Sequence, residues 1–146
     1  MDLKFKLSPG AKPPVRAGHD EDAGYTAGIN LFANIGGKIR INSQGQERIP
    51  TGVAFEIPKG KYGQLQARSG FAARTGSIIN AGVIDANYRG EIQVLIINTT
   101  NFPLDIKRGD GIAQMVILPV PNMELVQVDE LSETKRAEQG FSSTEE

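Results

Sequence analysis

The chain has 146 residues, 39% hydrophobic and 23% charged, with a formal net charge of -1 and no cysteine. That length suits one domain whose core needs no covalent staple, and the missing thiols exclude thiol catalysis, zinc-thiolate sites and disulfide frameworks. Both signs of charge are scattered along the sequence, which argues against a nucleic-acid surface, so any phosphate handled here is expected to belong to a small molecule.

The first stretch, Leu3-Lys4-Phe5-Lys6-Leu7, alternates apolar and polar residues and reads as a half-buried strand, not as a signal peptide or membrane span. A soluble, intracellular protein without membrane contact is expected. The single histidine, His19, lies in the polar run Gly18-His19-Asp20-Glu21-Asp22 and reads as a solvated loop residue, since no Gly-x-Ser-x-Gly elbow accompanies it. Period-two alternation recurs in Lys38–Asn42, Val53–Ile57 and Glu124–Val128, again predicting half-buried strands. The continuous apolar runs Val94–Ile97 and Met115–Leu118 predict strands buried on both faces. Turn signals separate them: Gly36-Gly37, Pro50-Thr51-Gly52, Pro58-Lys59-Gly60, Gly109-Asp110-Gly111 and Pro119-Val120-Pro121. No segment keeps a helical period, and Ser69 to Arg74 has room for one or two turns at most. Many short strands predict an all-β sandwich, barrel or jelly roll. The body is expected to end near Val128. The polar segment 129–146 cannot bury enough apolar area to fold alone, and its Phe141 either docks back on the body or stacks on a ligand.

The richest segment for chemistry runs from Gly82 through Val83, Ile84, Asp85, Ala86, Asn87, Tyr88, Arg89 and Gly90 to Ile97. It seats one carboxylate among apolar neighbours. Asp85 reads either as a partly desolvated proton acceptor or as a plain turn aspartate between two strands. The aromatic, cation and glycine that follow suggest a substrate pocket folded over a hairpin. Arg68-Ser69-Gly70, between a strand and the helix-capable stretch, offers a guanidinium fork, a hydroxyl and backbone N–H groups that suit a phosphate. Gln114, in Gly109-Asp110-Gly111-Ile112-Ala113-Gln114, can donate to a phosphate oxygen or serve as an ordinary strand glutamine. The tail adds Arg136 and the hydroxyls of Ser142, Ser143 and Thr144.

In order and content these segments, with Asp22-Ala23-Gly24-Tyr25 near the start, resemble the trimeric dUTP pyrophosphatases over nearly the whole chain. The resemblance implies a jelly-roll-like β barrel over residues 1–128, with a flexible C-terminal tail, 129–146, that closes over the active site. It implies a homotrimer with active sites at subunit boundaries, and hydrolysis of dUTP to dUMP and pyrophosphate, which limits uracil incorporation into DNA. Asp85 would activate a water for attack on the α-phosphorus. Tyr88 would pack on the deoxyribose and exclude a ribose 2′-hydroxyl. The hairpin from Asn80 to Gln93, including Gly82, Val83 and Ile84, would receive uracil through main-chain groups. Arg68, Ser69, Gly70 and Gln114 map onto phosphate contacts, with Ser69 stabilising the leaving pyrophosphate. Arg136 would reach the γ-phosphate, Phe141 would stack on the base, and Ser142, Ser143 and Thr144 would line the closed tail. Mg2+ would be held by substrate phosphates and waters, with no direct protein ligand. The compartment implied is the cytoplasm or nucleus, or a host cell for a viral protein.

The chain departs from the family pattern in its first segment, which normally reads Ala-Gly-aromatic-Asp-Leu. One register, Asp22-Ala23-Gly24-Tyr25-Thr26, puts threonine at the Asp position, and the other, Ala27-Gly28-Ile29-Asn30-Leu31, puts asparagine there. Either removes a carboxylate associated with the hydrated metal. Gly111 stands where arginine is usual, and Ala137, Ser142 and Glu145 stand where glycine is usual. The rival readings are a nucleotide- or protein-binding relative with weak or no turnover, and a dCTP deaminase, whose base is a glutamate.

Overall fold

The structure, a computed structural model, describes residues 1–18 and 24–141. His19 and the pair Asp22-Ala23 lie outside the described residues, as do Ser142, Ser143 and Thr144. The strands are β1 (Lys4–Leu7), β2 (Val15–Arg16), β3 (Ile29–Phe32), β4 (Lys38–Ile41), β5 (Gln46–Glu56), β6 (Lys61–Gln66), β7 (Ile78–Asn80), β8 (Val83–Ile84), β9 (Glu91–Ile97), β10 (Leu104–Lys107) and β11 (Gly111–Pro119). One helix, α1 (Ser69–Thr75), interrupts them. They form a four-stranded sheet in the order β1-β5-β9-β7, a five-stranded sheet in the order β2-β3-β11-β6-β8, and a β10-β4 pair. Every pairing between strands is antiparallel, in keeping with the jelly-roll-like barrel that the resemblance implies.

Side chains alternate across each strand, so each sheet buries one face. Leu31 of β3, Ile49, Val53 and Phe55 of β5, Leu65 of β6, Val94 and Ile96 of β9, and Met115 of β11 meet in one core. Each such side chain contributes about 1.5–3 kcal/mol on burial. The two apolar runs expected to be buried on both faces are not. In β9 Val94 and Ile96 are buried, while Leu95 and Ile97 are only half-buried on the outer face. In β11 Met115 is buried and Val116 to Leu118 are half-buried. A single chain closes the barrel's inside but leaves these outer positions open.

Pro50-Thr51-Gly52 is not a turn but the middle of β5. The register between β5 and β9 shifts between Pro50 and Ala54, where β5 carries extra residues. Gly52, at φ 70, supplies the left-handed geometry this bulge requires. Thr51 is buried and donates its hydroxyl to the Ile92 carbonyl at 2.7 Å, and the Gly52 N–H donates to the Glu91 carboxylate at 2.8 Å. The bulge thereby fixes where β9 begins, just after Tyr88.

The helix matches the expected one or two turns. Phe71 anchors it in the core, and Gly76 at φ 66 ends it by donating to the Ala72 carbonyl. Beyond Pro119 the chain makes no strand up to residue 141. The predicted strand at Glu124–Val128 is absent, and Leu125 is 97% exposed, because the alternating pattern pairs with none of the chain's own strands. β1 is a strand as predicted but is exposed along its length, with Phe5 leaning on Phe55 at 6.4 Å between ring centroids. No described helix is long and apolar enough to cross a membrane.

Candidate active site

The segment expected to be one hairpin joins the two sheets. β7 pairs with β9 in one sheet, the chain then crosses so that β8 pairs with β6 in the other, and it returns as β9. The crossing is tight: the Leu65 N–H donates to the Gly82 carbonyl at 2.7 Å, and a Cβ at Gly82 would meet the Leu65 carbonyl oxygen at 2.7 Å. Asn80 helps the chain leave β7, its side-chain oxygen accepting from the Ala81 N–H at 2.9 Å.

Asp85 follows β8 in the turn whose carbonyl accepts the Tyr88 N–H at 3.1 Å. Strand alternation turns Ile84 and Ala86 inward and Val83 and Asp85 outward. The desolvation expected from the apolar neighbours is therefore not supplied by the described residues: Asp85 is exposed, and Val83 is 61% exposed. Tyr88 lies over Gly90, where a Cβ would come within 2.6 Å of the ring's Cζ, and donates its hydroxyl to the Glu91 carbonyl at 3.0 Å. Arg89 points elsewhere, donating to the Ala86 carbonyl at 2.7 Å and approaching Glu56 at 3.7 Å. Val83, Ile84, Asp85, Tyr88, Glu91 and Gln93 line one cavity of about 300 Å³. Arg48 of β5 also lines it, a residue the sequence reading missed because nothing local marks a strand arginine as facing a pocket. On its other side Asp85 borders a second cavity of about 490 Å³, with Lys59, Lys61 and Met123.

The phosphate-type residues gather elsewhere. Arg68, Ser69 and Gly70 line a separate cavity of about 150 Å³ with Phe71, Arg74 and Gly111. Neither this cavity nor the one around Tyr88 contains a residue of the other. Gln114 is paired directly with Asn30 of β3 and Gln66 of β6, so three amides lie abreast on one sheet face. Gln114 donates to the Ala67 carbonyl at 3.1 Å, tying β11 to the turn that bears Arg68. Gly28 leaves room for this amide, since a Cβ there would overlap its oxygen. Of the two registers for the first segment, the one through Ala27 to Leu31 therefore runs into β3 with Asn30 beside Gln114, whereas Tyr25 stands exposed in a turn. Gln66 was also missed, as was the room Gly28 of the second register leaves for Gln114, because cross-strand register is invisible in a single sequence.

Of the predicted tail residues, Arg136 and Phe141 line neither cavity. Arg136 donates to the Gln139 carbonyl at 2.9 Å, and Phe141 is fully exposed. Among the described residues no three metal-ligating side chains cluster, and the amides of Asn30 and Gln114 offer no negative charge.

A family model described as dUTPase matches residues 17–145. The deoxyuridine 5′-triphosphate nucleotidohydrolase of Caldanaerobacter subterraneus subsp. tengcongensis is 43% identical over 145 residues, covering 97% of this chain and 96% of that protein. The protein of the same name from Gloeobacter violaceus is 45% identical over 120 residues, covering 81% and 82%. Among solved structures, the dUTPase of Staphylococcus bacteriophage 80alpha with dUPNHPP aligns at a TM-score of 0.86 with 31% identity, covering 98% of both chains. A mutant dUTPase of the S. aureus phage phi11, described with a structural Mg(II) ion, aligns at 0.76 with 30% identity, covering 89% of this chain and 98% of that one. On the strength of the family match and of relatives aligned along most of its length, this chain belongs to the dUTPase family.

Proposed function

We propose that this protein hydrolyses dUTP to dUMP and pyrophosphate. The observation that carries the reading is the fold of the segment from Val83 to Gln93, which turns Asp85, Tyr88 and Gln93 into one cavity of about 300 Å³. Main-chain groups of the crossing from Asn80 to Gln93, with Gly82, Val83 and Ile84, receive uracil. Cytosine is refused because its exocyclic amine leaves buried partners unpaired, and thymine because its methyl group collides. Tyr88, braced on Gly90, packs against the deoxyribose and leaves no room for a 2′-hydroxyl. Asp85 accepts a proton from water as the water oxygen attacks the α-phosphorus. The bond from that phosphorus to the bridging oxygen breaks, and pyrophosphate leaves. Arg68, Ser69, Gly70 and Gln114 hold the phosphates, with Ser69 and Gln114 assisting as charge moves to the leaving group.

Mg2+ bound with the nucleotide would be held by phosphate oxygens and waters and would supply positive charge against the triphosphate, while Arg68, Ser69, Gly70 and Gln114 hold the phosphates from the protein side. Asn30, which takes the place of the family's first-segment carboxylate in one register, brings no negative charge toward a hydrated metal beside Gln114.

The protein acts as a homotrimer with composite sites. The separation of the Asp85 cavity from the Arg68 cavity supports this reading, as do the half-open outer faces of β9 and β11. The exposed apolar residues Met123, Leu125, Val126 and Leu131 support an arm that leaves its own barrel and lies on a neighbouring copy. The barrel, whose last strand ends at Pro119, and the segment beyond it, including the tail 129–146, then divide the work. Arg136, Phe141, Ser142, Ser143 and Thr144 close over a neighbour's nucleotide and exclude water.

Pyrophosphate release from dUTP with Mg2+, run beside dCTP, dTTP and UTP, tests the reading. Strong preference for dUTP is expected. Nucleotide binding without release would favour the weak-turnover relative, and ammonia from dCTP would favour the deaminase.

A further inference from the structure

The start of β9 is tied to β5 by a side chain. Ala54 pairs with Glu91 and the next register pair is Pro50 with Gln93, so Thr51, Gly52 and Val53 stand opposite Ile92 alone. Within that gap the Gly52 N–H donates to the Glu91 carboxylate at 2.8 Å. The β5 end of this tie is fixed from behind: the Gly52 carbonyl accepts from the Ser8 N–H at 2.8 Å, Thr51 is buried, and a Cβ at Gly52 would come within 2.5 Å of the Ala11 Cβ. The β9 end is less secured, since Glu91 is half-buried and follows a turn in which Asp85, Asn87, Tyr88 and Arg89 are exposed. Among the described residues no cation ion-pairs with Glu91. Tyr88 leans on this same end of β9, its ring on Gly90 and its hydroxyl on the Glu91 carbonyl.

We propose that Glu91 is a positioning residue for sugar selection: by holding the Gly52 N–H, its carboxylate fixes the Gly90-Glu91 backbone that seats the Tyr88 ring. The inference rests on the reading of Tyr88 as the group that refuses a ribose 2′-hydroxyl. Refusing one extra oxygen requires a ring held to within about 0.5 Å, which a supporting hydrogen bond behind the ring provides. A carboxylate accepting a backbone N–H makes a charge-assisted bond, stronger than a neutral one, and it spans the place where the bulge interrupts the ladder. The seat is Gly90 itself, so the tie acts on the ring whether or not the tyrosine hydroxyl is present.

The ratio of kcat/KM for dUTP to that for UTP, with Mg2+, is measured for the wild type, Glu91→Ala, Glu91→Gln, Gly90→Ala and Ile96→Ala. Glu91→Ala is expected to narrow the ratio about tenfold, the scale of a lost charge-assisted hydrogen bond. Glu91→Gln, whose amide oxygen still accepts the Gly52 N–H, is expected to stay within about threefold of wild type. Ile96→Ala, a core change in the same strand away from the turn, is expected to lower the thermal midpoint at an unchanged ratio, which separates sugar selection from stability. An unchanged ratio in Glu91→Ala, or equal narrowing in Glu91→Gln or in Ile96→Ala, would overturn the proposal. Narrowing in Gly90→Ala without narrowing in Glu91→Ala would remove Glu91 and leave the Tyr88 reading standing, whereas a wild type indifferent to the 2′-hydroxyl would overturn both. Should Glu91→Ala fail to fold, Glu91→Met, which keeps the stem and lacks the acceptor, is read in its place. Failure of that variant too would make the carboxylate a folding element only and overturn the proposal.

Discussion

Asp85 and Tyr88 sit within one turn, yet the structure gives them different supports. Asp85 is exposed and has no buried scaffold of its own, so its replacement should leave the fold untouched. Asp85→Asn keeps the shape and removes the proton acceptor. It is expected to lower kcat by about 10²-fold or more while KM moves little, and undiminished turnover would remove Asp85 from the base role. Tyr88 is set by two contacts, the ring on Gly90 and the hydroxyl on the Glu91 carbonyl. Gly90→Ala pushes the ring aside and is expected to narrow the preference for dUTP over UTP, read as a ratio of kcat/KM values. Tyr88→Phe keeps the ring seated and should preserve that preference. The types of these residues were legible in the sequence because an acid, an aromatic and a glycine at this spacing carry chemistry on their face. Their exposure was not. Flanking apolar residues predicted a desolvated Asp85, but alternation through β8 sends it outward with Val83, and none of the described residues covers it.

The strands show the same division between local pattern and context. Alternation gave β1, β4 and the C-terminal end of β5 because a period of two is written in consecutive residues. The bulge in β5 was hidden, since Pro50-Thr51-Gly52 has the composition of a turn and only the buried Thr51 and the Glu91 carboxylate reveal that the strand continues. Glu124–Val128 has strand composition but no partner within its own chain. The β4-β10 pair carries its own electrostatic device. Arg40 donates to both carboxylate oxygens of Asp105, at 2.8 and 3.1 Å, with Lys38 at 3.5 Å. These hydrogen bonds hold the Asp105 carboxyl at about 2, below its ordinary 3.8. The folded form thus binds the proton more weakly than the unfolded chain, so this carboxylate stabilises fully above its unfolded pKa and loses that contribution as pH falls from about 4 toward 2. Thermal midpoints of Asp105→Asn and wild type are expected to converge across that window, and a constant gap would contradict the pairing. At the core, Ile96→Ala in β9 is expected to cost about 2–5 kcal/mol in denaturant unfolding.

At the scale of the whole molecule, one chain holds both halves of the proposed site but does not join them. The Asp85 cavity and the Arg68 cavity share no residue, Arg136 and Phe141 reach neither, and the outer faces of β9 and β11 stay half-open. A closed cyclic assembly resolves all of these together, because each copy can lend its base turn to a neighbour's phosphate cradle. Leu95→Asp, a charge on the outer face of β9, is expected to weaken self-association in sedimentation equilibrium and lower activity with it. The sequence could name the residues of such a site but not which copy supplies each one, since outer and core faces of a strand are both written in apolar residues. The most direct measurement is complementation. Asp85→Asn and Arg68→Ala, each close to inactive alone, are unfolded together, refolded as a mixture and assayed on dUTP. With sites shared between copies, roughly a quarter of the sites in a random equal mixture join an intact Asp85 to an intact Arg68, and activity is expected to reappear. A mixture no more active than its two components would contradict the composite site.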